Sequence, residues 1–188
     1  MQLRALRVRE GCEAASYLVG PAGPFPNNSE QPVQVYKDVF GTQANEAKDD
    51  EEQAERLAVA FEELFSSHGW GNGWRDIVYP YPHFHSTAYE VLGVYVGTDS
   101  VQLGGGEEGE EGALVVDLQP GDVLLLPPGV AHKSLRPSPD FLCVGAYPIG
   151  GQEVDLLHGR PEELAQALLN IRAVPCFASD PVLGLLRK

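Results

Sequence analysis

Three of the chain's five histidines lie in two short segments, and with one glutamate they form a set that could bind a metal ion. His83 and His85 are separated by one residue, so on a β-strand both imidazoles face the same side. Glu90 follows five residues after His85, an odd offset that would turn it to the opposite face of a continuous strand. We therefore predict a turn or bulge between Ser86 and Tyr89 that returns Glu90 to the side of the histidines.

The third histidine of the set comes from a second segment. An apolar run ends in a Pro-Pro-Gly turn, and His132 follows shortly after Gly129, where it can enter the same interior from another strand. Three neutral imidazoles and one carboxylate form a donor set suited to one divalent ion of Fe, Mn, Co, Ni, Cu or Zn per chain, with coordination positions left open. The alternative is that these are ordinary polar residues, with His83 and His85 exposed on one side of a sheet.

Other side chains at alternate strand positions, on the same face as the ligands, are predicted to surround the site. Tyr79 and Tyr81 share the parity of the first two histidines, so on a regular strand they face the same interior. They are candidate catalytic residues that contact the substrate, although packing is the alternative role for both. Leu92, Val94 and Val96 share the parity of the glutamate and are predicted to give the pocket an apolar lining.

The segments that must position these side chains have the pattern of short antiparallel strands. Between Ile77 and about Tyr147 the chain is rich in β-branched and aromatic residues and is interrupted by Gly and Pro, which favours a sandwich or barrel. On either side, apolar residues recur at helical spacing, and the second helix is predicted to begin at Pro161. A chain of 188 residues has the length of one domain with attached helices. We predict an N-terminal arm of strands and loops over 1–48, a helix over 49–68, a β core over 75–148, a helix over 160–174 and a tail over 175–188.

Both histidine segments resemble a known pair of sequence motifs. His83-x-His85-x4-Glu90-x6-Gly97 and Gly121-x5-Pro127-x-Gly129-x2-His132 are similar to the two motifs of the cupin superfamily, and the 23 residues between them suit that family. The chain departs from the family pattern at Ile77, where a Gly is usual, and at Arg136, where an Asn is usual. Further runs make it similar to the YjlB-like single-domain cupins: Pro26-Asn27-Asn28, Val130-Ala131-His132-Lys133, Gly145-Ala146-Tyr147-Pro148 and Asp180-Pro181-Val182-x-Gly184.

The resemblance implies an all-β jelly-roll core, with one helix before it and one after it, and a metal site. The family's four ligand positions are occupied by His83, His85, Glu90 and His132. We expect a metal-dependent enzyme that acts on a small oxygenated or anionic metabolite. A redox-active metal could bind dioxygen beside a chelating substrate, whereas a redox-silent metal could act as a Lewis acid in isomerisation, dehydration or decarboxylation. Both chemistries use the same ligands, and a dioxygenase is slightly favoured. A non-catalytic module that binds a small ligand is the alternative.

Charge and cysteine content restrict the partners. Thirteen Lys and Arg against 27 Asp and Glu give a net charge of −14, which repels nucleic acid and anionic membrane surfaces. Charged residues interrupt the N-terminal apolar residues, and no stretch approaches the roughly 20 apolar residues of a membrane span, so we expect neither a signal peptide nor a membrane anchor. Its three cysteines are widely spaced, which favours reduced thiols and a cytoplasmic location. We also expect a homodimer formed by strand exchange or sheet packing, because exposed sheet edges need cover.

Overall fold

The computed structural model describes residues 5–41, 50–106 and 112–184. Within these residues the chain forms nine β-strands and two α-helices, in this order: β1 (Ala14–Val19), β2 (Asn28–Tyr36), α1 (Asp50–Ser67), β3 (Trp70–Asp76), β4 (Glu90–Val96), β5 (Asp99–Leu103), β6 (Leu114–Leu118), β7 (Val123–Leu126), β8 (His132–Ser134), β9 (Leu142–Pro148) and α2 (Leu164–Ala173). Neither helix is both long and apolar enough to cross a membrane.

The strands form two antiparallel sheets that pack face to face. One sheet has six strands in the order β1-β2-β7-β4-β9-β3, and the other has three in the order β6-β5-β8. Leu92 and Leu124 of the larger sheet share one buried apolar cluster with Val101, Leu103 and Val116 of the smaller sheet. The predicted all-β core with a helix before it and a helix after it is confirmed.

Helix α1 covers the outer face of the six-stranded sheet. Its buried residues include Leu57, Phe61 and Phe65, which recur every four positions and form one apolar stripe. The ring of Phe61 lies so close to β4 that a Cβ on Gly93 would be 2.7 Å from it. Because α1 covers one face and the smaller sheet covers the other, β4 and β7 are buried on both faces, and apart from Glu90 at the start of β4 they lack alternating polar residues.

The six-stranded sheet extends beyond the core predicted over 75–148. Strand β2, from the segment predicted as an arm, pairs with β7 through Val35 opposite Leu124, and β3 begins at Trp70 and pairs with β9. The arm is therefore partly built into the main sheet. Its residues 1–4 and 42–48, and residues 185–188 of the predicted tail, lie outside the described part of the chain.

Helix α2 begins at Leu164, later than the sequence predicted. The Glu163 carboxylate accepts the backbone N–H groups of His158 at 2.9 Å and Arg160 at 3.0 Å, and the N–H of Glu163 donates to the Arg160 carbonyl. These bonds hold the residues around Pro161 in a turn. The turn, and not a first helical turn, therefore occupies the start of the predicted span.

Candidate metal centre

The strand segments that carry the histidines lie side by side. His83 and His132 form an antiparallel bridge, in which the backbone N–H of each donates to the carbonyl of the other, at 3.2 and 2.9 Å. Their ring centroids are 4.1 Å apart. The backbone carbonyl of His85 accepts from the N–H of Gly129 in the Pro-Pro-Gly turn. The turn therefore brings the second segment against the first, and the three imidazoles meet.

Glu90 returns to the side of the histidines, as the odd offset predicted. The chain bends at Ser86 and Thr87, and β4 begins at Glu90 itself. The Oε2 atom of Glu90 lies 3.2 Å from Nε2 of His132 and 3.5 Å from Nε2 of His85. The structure thus brings together all four residues that the sequence analysis selected as metal ligands.

The bend is held by Asp155, a residue that the sequence analysis missed. Its Oδ1 accepts the backbone N–H of Ser86 at 2.7 Å, and its Oδ2 accepts the Ser86 hydroxyl at 2.5 Å. The Thr87 hydroxyl donates to Oδ1 at 3.1 Å. Asp155 lies in the loop between β9 and α2, so this loop fixes the connection between His85 and Glu90.

Each imidazole has its Nδ1 atom against a backbone carbonyl. The partners are the carbonyls of Tyr81 for His83, at 3.1 Å, and of Val130 for His132, at 3.2 Å. His85 makes the same contact with the carbonyl of Asp155. Because a carbonyl only accepts hydrogen bonds, each Nδ1 carries a proton, and the Nε2 atoms are left to act as ligands.

The remaining atoms fit a divalent cation. The three histidines each offer one ligand atom within 4.8 Å of the others. Glu90 is only 3% exposed, yet its Oε2 atom is buried without a hydrogen-bond partner among the described residues. An unsatisfied buried carboxylate oxygen is costly. A cation among the three imidazoles would satisfy it, and the nitrogen and oxygen donors suit a divalent transition metal.

The pKa values reflect burial and mutual charge. Burial, together with neighbouring His132, lowers the pKa of His83 to about 3, which keeps its ring neutral. Burial also opposes charge on His85, but the Glu90 carboxylate outweighs it and raises the pKa of His85 to about 9. Burial disfavours the Glu90 carboxylate, and yet the positive charge of His85 and the nearby ring of His132 hold its pKa well below the ordinary value. The site therefore attracts positive charge, and a metal ion competes with a proton for it.

The four residues form the floor of a cavity of about 410 Å³. Tyr79 lines the cavity, whereas Tyr81 is not among its lining residues; the two rings stack with centroids 5.1 Å apart. Both rings pack beside His83, at 5.2 and 5.8 Å between centroids. Tyr79 is 39% exposed and Tyr81 is 42% exposed, so they lie at the rim and not in the interior.

Of the three predicted apolar positions on β4, only Leu92 lines the cavity. Val94 is buried in the core between the two sheets. Val96 packs against the cluster on the α1 side. The pairing of β4 with β9 shifts register between Val94 and Val96, so the parity of the strand is not maintained to its end.

Tyr147 is the second residue that the sequence analysis did not select. Its hydroxyl donates to Oε1 of Glu90 at 2.9 Å and accepts from Nε1 of Trp74 at 3.0 Å. Burial and the Glu90 charge raise the pKa of the Tyr147 phenol, so it stays protonated as a donor. The Trp74 ring lies against Gly145, where a Cβ would be 2.1 Å from the ring, so a side chain there would displace it.

The chain is similar to several known proteins. No protein-family model matches it. The uncharacterized protein YjlB of Bacillus subtilis (strain 168) is 36% identical over 172 residues, which cover 92% of each chain.

Similar solved structures include the acireductone dioxygenase from Bacillus anthracis with a cadmium ion in its active center. It is 20% identical, the match covers 65% of this chain and 82% of that chain, and the TM-score is 0.38. A Klebsiella pneumoniae protein with a double-stranded beta-helix domain is 15% identical, covering 83% of this chain and 87% of its own, with a TM-score of 0.35. The 11S globulin from Wrightia tinctoria is 17% identical over 45% of this chain and 21% of its own, with a TM-score of 0.36, so the chain spans about a fifth of that protein. By its identity with YjlB over nearly the whole length, the chain belongs to the YjlB family, and its two histidine motifs and sandwich fold resemble those of the cupins.

Proposed function

We propose that the protein is a metal-dependent dioxygenase that acts on a small oxygenated molecule in this cavity. His83, His85, Glu90 and His132 would hold one divalent transition metal per chain. The observation that carries the proposal is the convergence, on the floor of a cavity, of three Nε2 atoms and the Oε2 atom of Glu90, which has no hydrogen-bond partner in the described part of the chain. A redox-active metal such as Fe or Mn, when bound there, supplies the capacity to react with dioxygen.

The chain's other residues prepare the ligands. Tyr147 and Trp74 fix the rotation of the Glu90 carboxylate, because Oε1 accepts the phenol and Oε2 is left to face the imidazoles. The loop of Asp155 fixes His85 through its backbone carbonyl, and its carboxylate fixes the bend before Glu90. These are positioning residues, since they act on the reaction through the ligands that they orient.

Oxygenase chemistry is favoured over Lewis-acid chemistry by the cavity's acid and base groups. Isomerases, dehydratases and decarboxylases that shift protons need a base within reach of the substrate. Among the described lining residues, the Asp155 carboxylate is occupied by the bend, and the Tyr147 phenol is bonded to Glu90. Asp76 also lines the cavity, but it is exposed near the entrance, whereas the four ligand residues lie at the buried floor.

We propose that Tyr79 contacts the substrate and that Tyr81 supports it by stacking.

Oxygen uptake tests this function. The protein is loaded with Fe(II) under anaerobic conditions and mixed with a set of small diols, enols and hydroxy acids in an oxygen electrode. We expect a member of the set to be consumed together with dioxygen, and we expect the Glu90→Ala protein to show neither process. A compound that is converted without oxygen uptake would support Lewis-acid catalysis. A compound that is bound and recovered unchanged would support a binding module.

We also propose that the protein is a homodimer that pairs through β1. This strand is an edge of the six-stranded sheet and its residues are largely exposed, including Tyr17 at 39% and Leu18 at 63%. Exposed edges of this kind favour pairing with another strand. Light scattering would give twice the mass of the chain for the wild-type protein and the mass of a single chain for the Leu18→Lys protein.

A further inference from the structure

The walls of the cavity point to the charge of the substrate. We infer that the substrate binds with one oxygen-donor group at the floor and that the rest of the molecule is uncharged or cationic. A second anionic group, such as a phosphate or a remote carboxylate, is excluded. The inference rests on the proposed function, because it takes the four-residue floor as the metal centre.

The walls above the floor are mainly apolar and aromatic. They are formed by Trp74, Ile77, Tyr79, Leu92, Val154 and Leu156. The residues at the floor are almost fully buried, whereas Ile77, Tyr79 and Leu156 are about two-fifths exposed and mark the entrance. An anionic group that enters between such walls loses water and gains no cationic partner among the described lining residues, which is costly. The body of the substrate is therefore largely apolar.

No lysine or arginine is present among the described residues that line the cavity. The basic side chains of Arg75 and Lys133 are held by other partners. Arg75 pairs with Glu55 and Glu62 on the outer face of the protein, and Lys133 donates to the carbonyl of Gly106. A phosphate or carboxylate on the substrate would thus lack the charge-assisted hydrogen bonds that bind such groups.

The carboxylates of the cavity favour positive charge. Asp76 is exposed near the entrance, Asp155 lies in the wall, and the whole chain carries −14. The faces of Trp74 and Tyr79 could also contact an ammonium group. At the floor, a divalent ion with three neutral imidazoles and one carboxylate leaves a single positive charge, which one anionic oxygen donor neutralises. The site therefore has charge for one anionic group and for no second one.

Three diols that differ in charge test the inference. The protein is loaded with Co(II) without oxygen and titrated with methyl 3,4-dihydroxybenzoate, 3,4-dihydroxybenzoate and dopamine. The three compounds share the same diol, and the rest of the molecule is neutral in the ester, anionic in the carboxylate and cationic in dopamine. The visible Co(II) spectrum gives each Kd, and each is compared with binding of that diol to aqueous Co(II). We expect the ester and dopamine to bind at least about tenfold more tightly than the carboxylate.

Two substitutions assign the preference to the cavity. Asp76→Asn is expected to weaken dopamine several-fold relative to the ester. Glu162 is an exposed carboxylate outside the cavity lining. Glu162→Gln changes the net charge equally and is expected to leave the ratio of the dopamine Kd to the ester Kd unchanged. Equal or tighter binding of the carboxylate would overturn the inference and leave the metal centre intact. Failure to bind Co(II) would overturn the proposed function as well, and binding of Co(II) without any of the diols would overturn the inference alone.

Discussion

Replacement of Tyr147 by Phe removes one hydroxyl and tests whether the glutamate must be oriented to bind metal. In the wild-type protein this hydroxyl donates to Oε1 of Glu90 at 2.9 Å. With a cation on Oε2, the phenol is the donor left to Oε1. Without a cation, Oε2 lies 3.2 Å from His132 and 3.5 Å from His85. The hydroxyl makes this bond without a metal, so its effect on metal binding comes from holding the rotation of the carboxylate in which Oε2 faces the imidazoles.

The size of the effect follows from the charge on the acceptor. A hydrogen bond to a charged group contributes about 1.5 to 3 kcal/mol, and about 1.4 kcal/mol corresponds to a tenfold change in an equilibrium constant. Loss of a residue that orients a metal ligand typically weakens metal binding by about 10- to 100-fold. We therefore expect the Kd for Zn²⁺ of the Tyr147→Phe protein to rise by about 10- to 100-fold.

The assay is a Zn²⁺ titration in competition with a chromophoric chelator. Tyr81→Phe is the matched control, because Tyr81 loses the same atom beside the same site but does not line the cavity. Its Kd is expected to stay within about threefold of the wild-type value. Circular dichroism and the melting temperature exclude unfolding as the cause. An unchanged Kd in a folded Tyr147→Phe protein would refute the reasoning that this phenol orients Glu90.

Three further predictions concern stability and the thiols. Asp155→Ala removes the carboxylate that holds the bend before Glu90, and we expect a loss of about 2 kcal/mol, seen as a Tm lower by about 4 to 8 °C; an unchanged Tm would contradict this role. Burial raises the pKa of Asp99 from 3.8, so the folded state holds that proton more tightly, and the contribution of Asp99 to stability falls as the pH rises above 3.8. Asp99→Asn should therefore gain stability relative to the wild type between pH 4 and 7, and a pH-independent difference in Tm would argue against it. Cys176 is exposed, whereas the other two thiols are buried and burial raises their pKa. The native protein should therefore react with a disulfide reagent at one thiol and the denatured protein at three. Rapid reaction of a second thiol in the native protein would be inconsistent with this burial.

The sequence was sufficient for features that local spacing determines. The parity of His83 and His85 and the odd offset to Glu90 predicted the bend, and the bend is present. The repeat of apolar residues predicted α1, and Gly and Pro between β-branched runs predicted the sheets. The pairing of the two histidine segments, by contrast, came from the family resemblance and from the Pro-Pro-Gly turn before His132.

Features that depend on distant contacts were not predicted. Tyr147 meets Glu90 across 57 residues of chain, and Asp155 meets the bend at Ser86 across 69. Tyr147 lies in a run that carries the family resemblance, but nothing in that run marks its contact with Glu90, and Asp155 belongs to none of the quoted patterns. A register shift near the end of β4 changed the side to which Val96 points. The hydrogen bonds of the Glu163 carboxylate delayed the start of α2, a contact that helix propensity does not include.

Metal content tests the central claim most directly. The wild-type protein, purified without a tag or chelator, is compared with the His83→Ala/His132→Ala and Glu90→Ala proteins by elemental analysis, before and after reconstitution with Fe, Mn, Co, Ni, Cu and Zn in turn. We predict about one equivalent of a divalent transition metal in the wild type, loss of it in the double variant and reduced content in Glu90→Ala. Stoichiometric metal in the double variant, or a folded wild-type protein that takes up none of these metals, would contradict it.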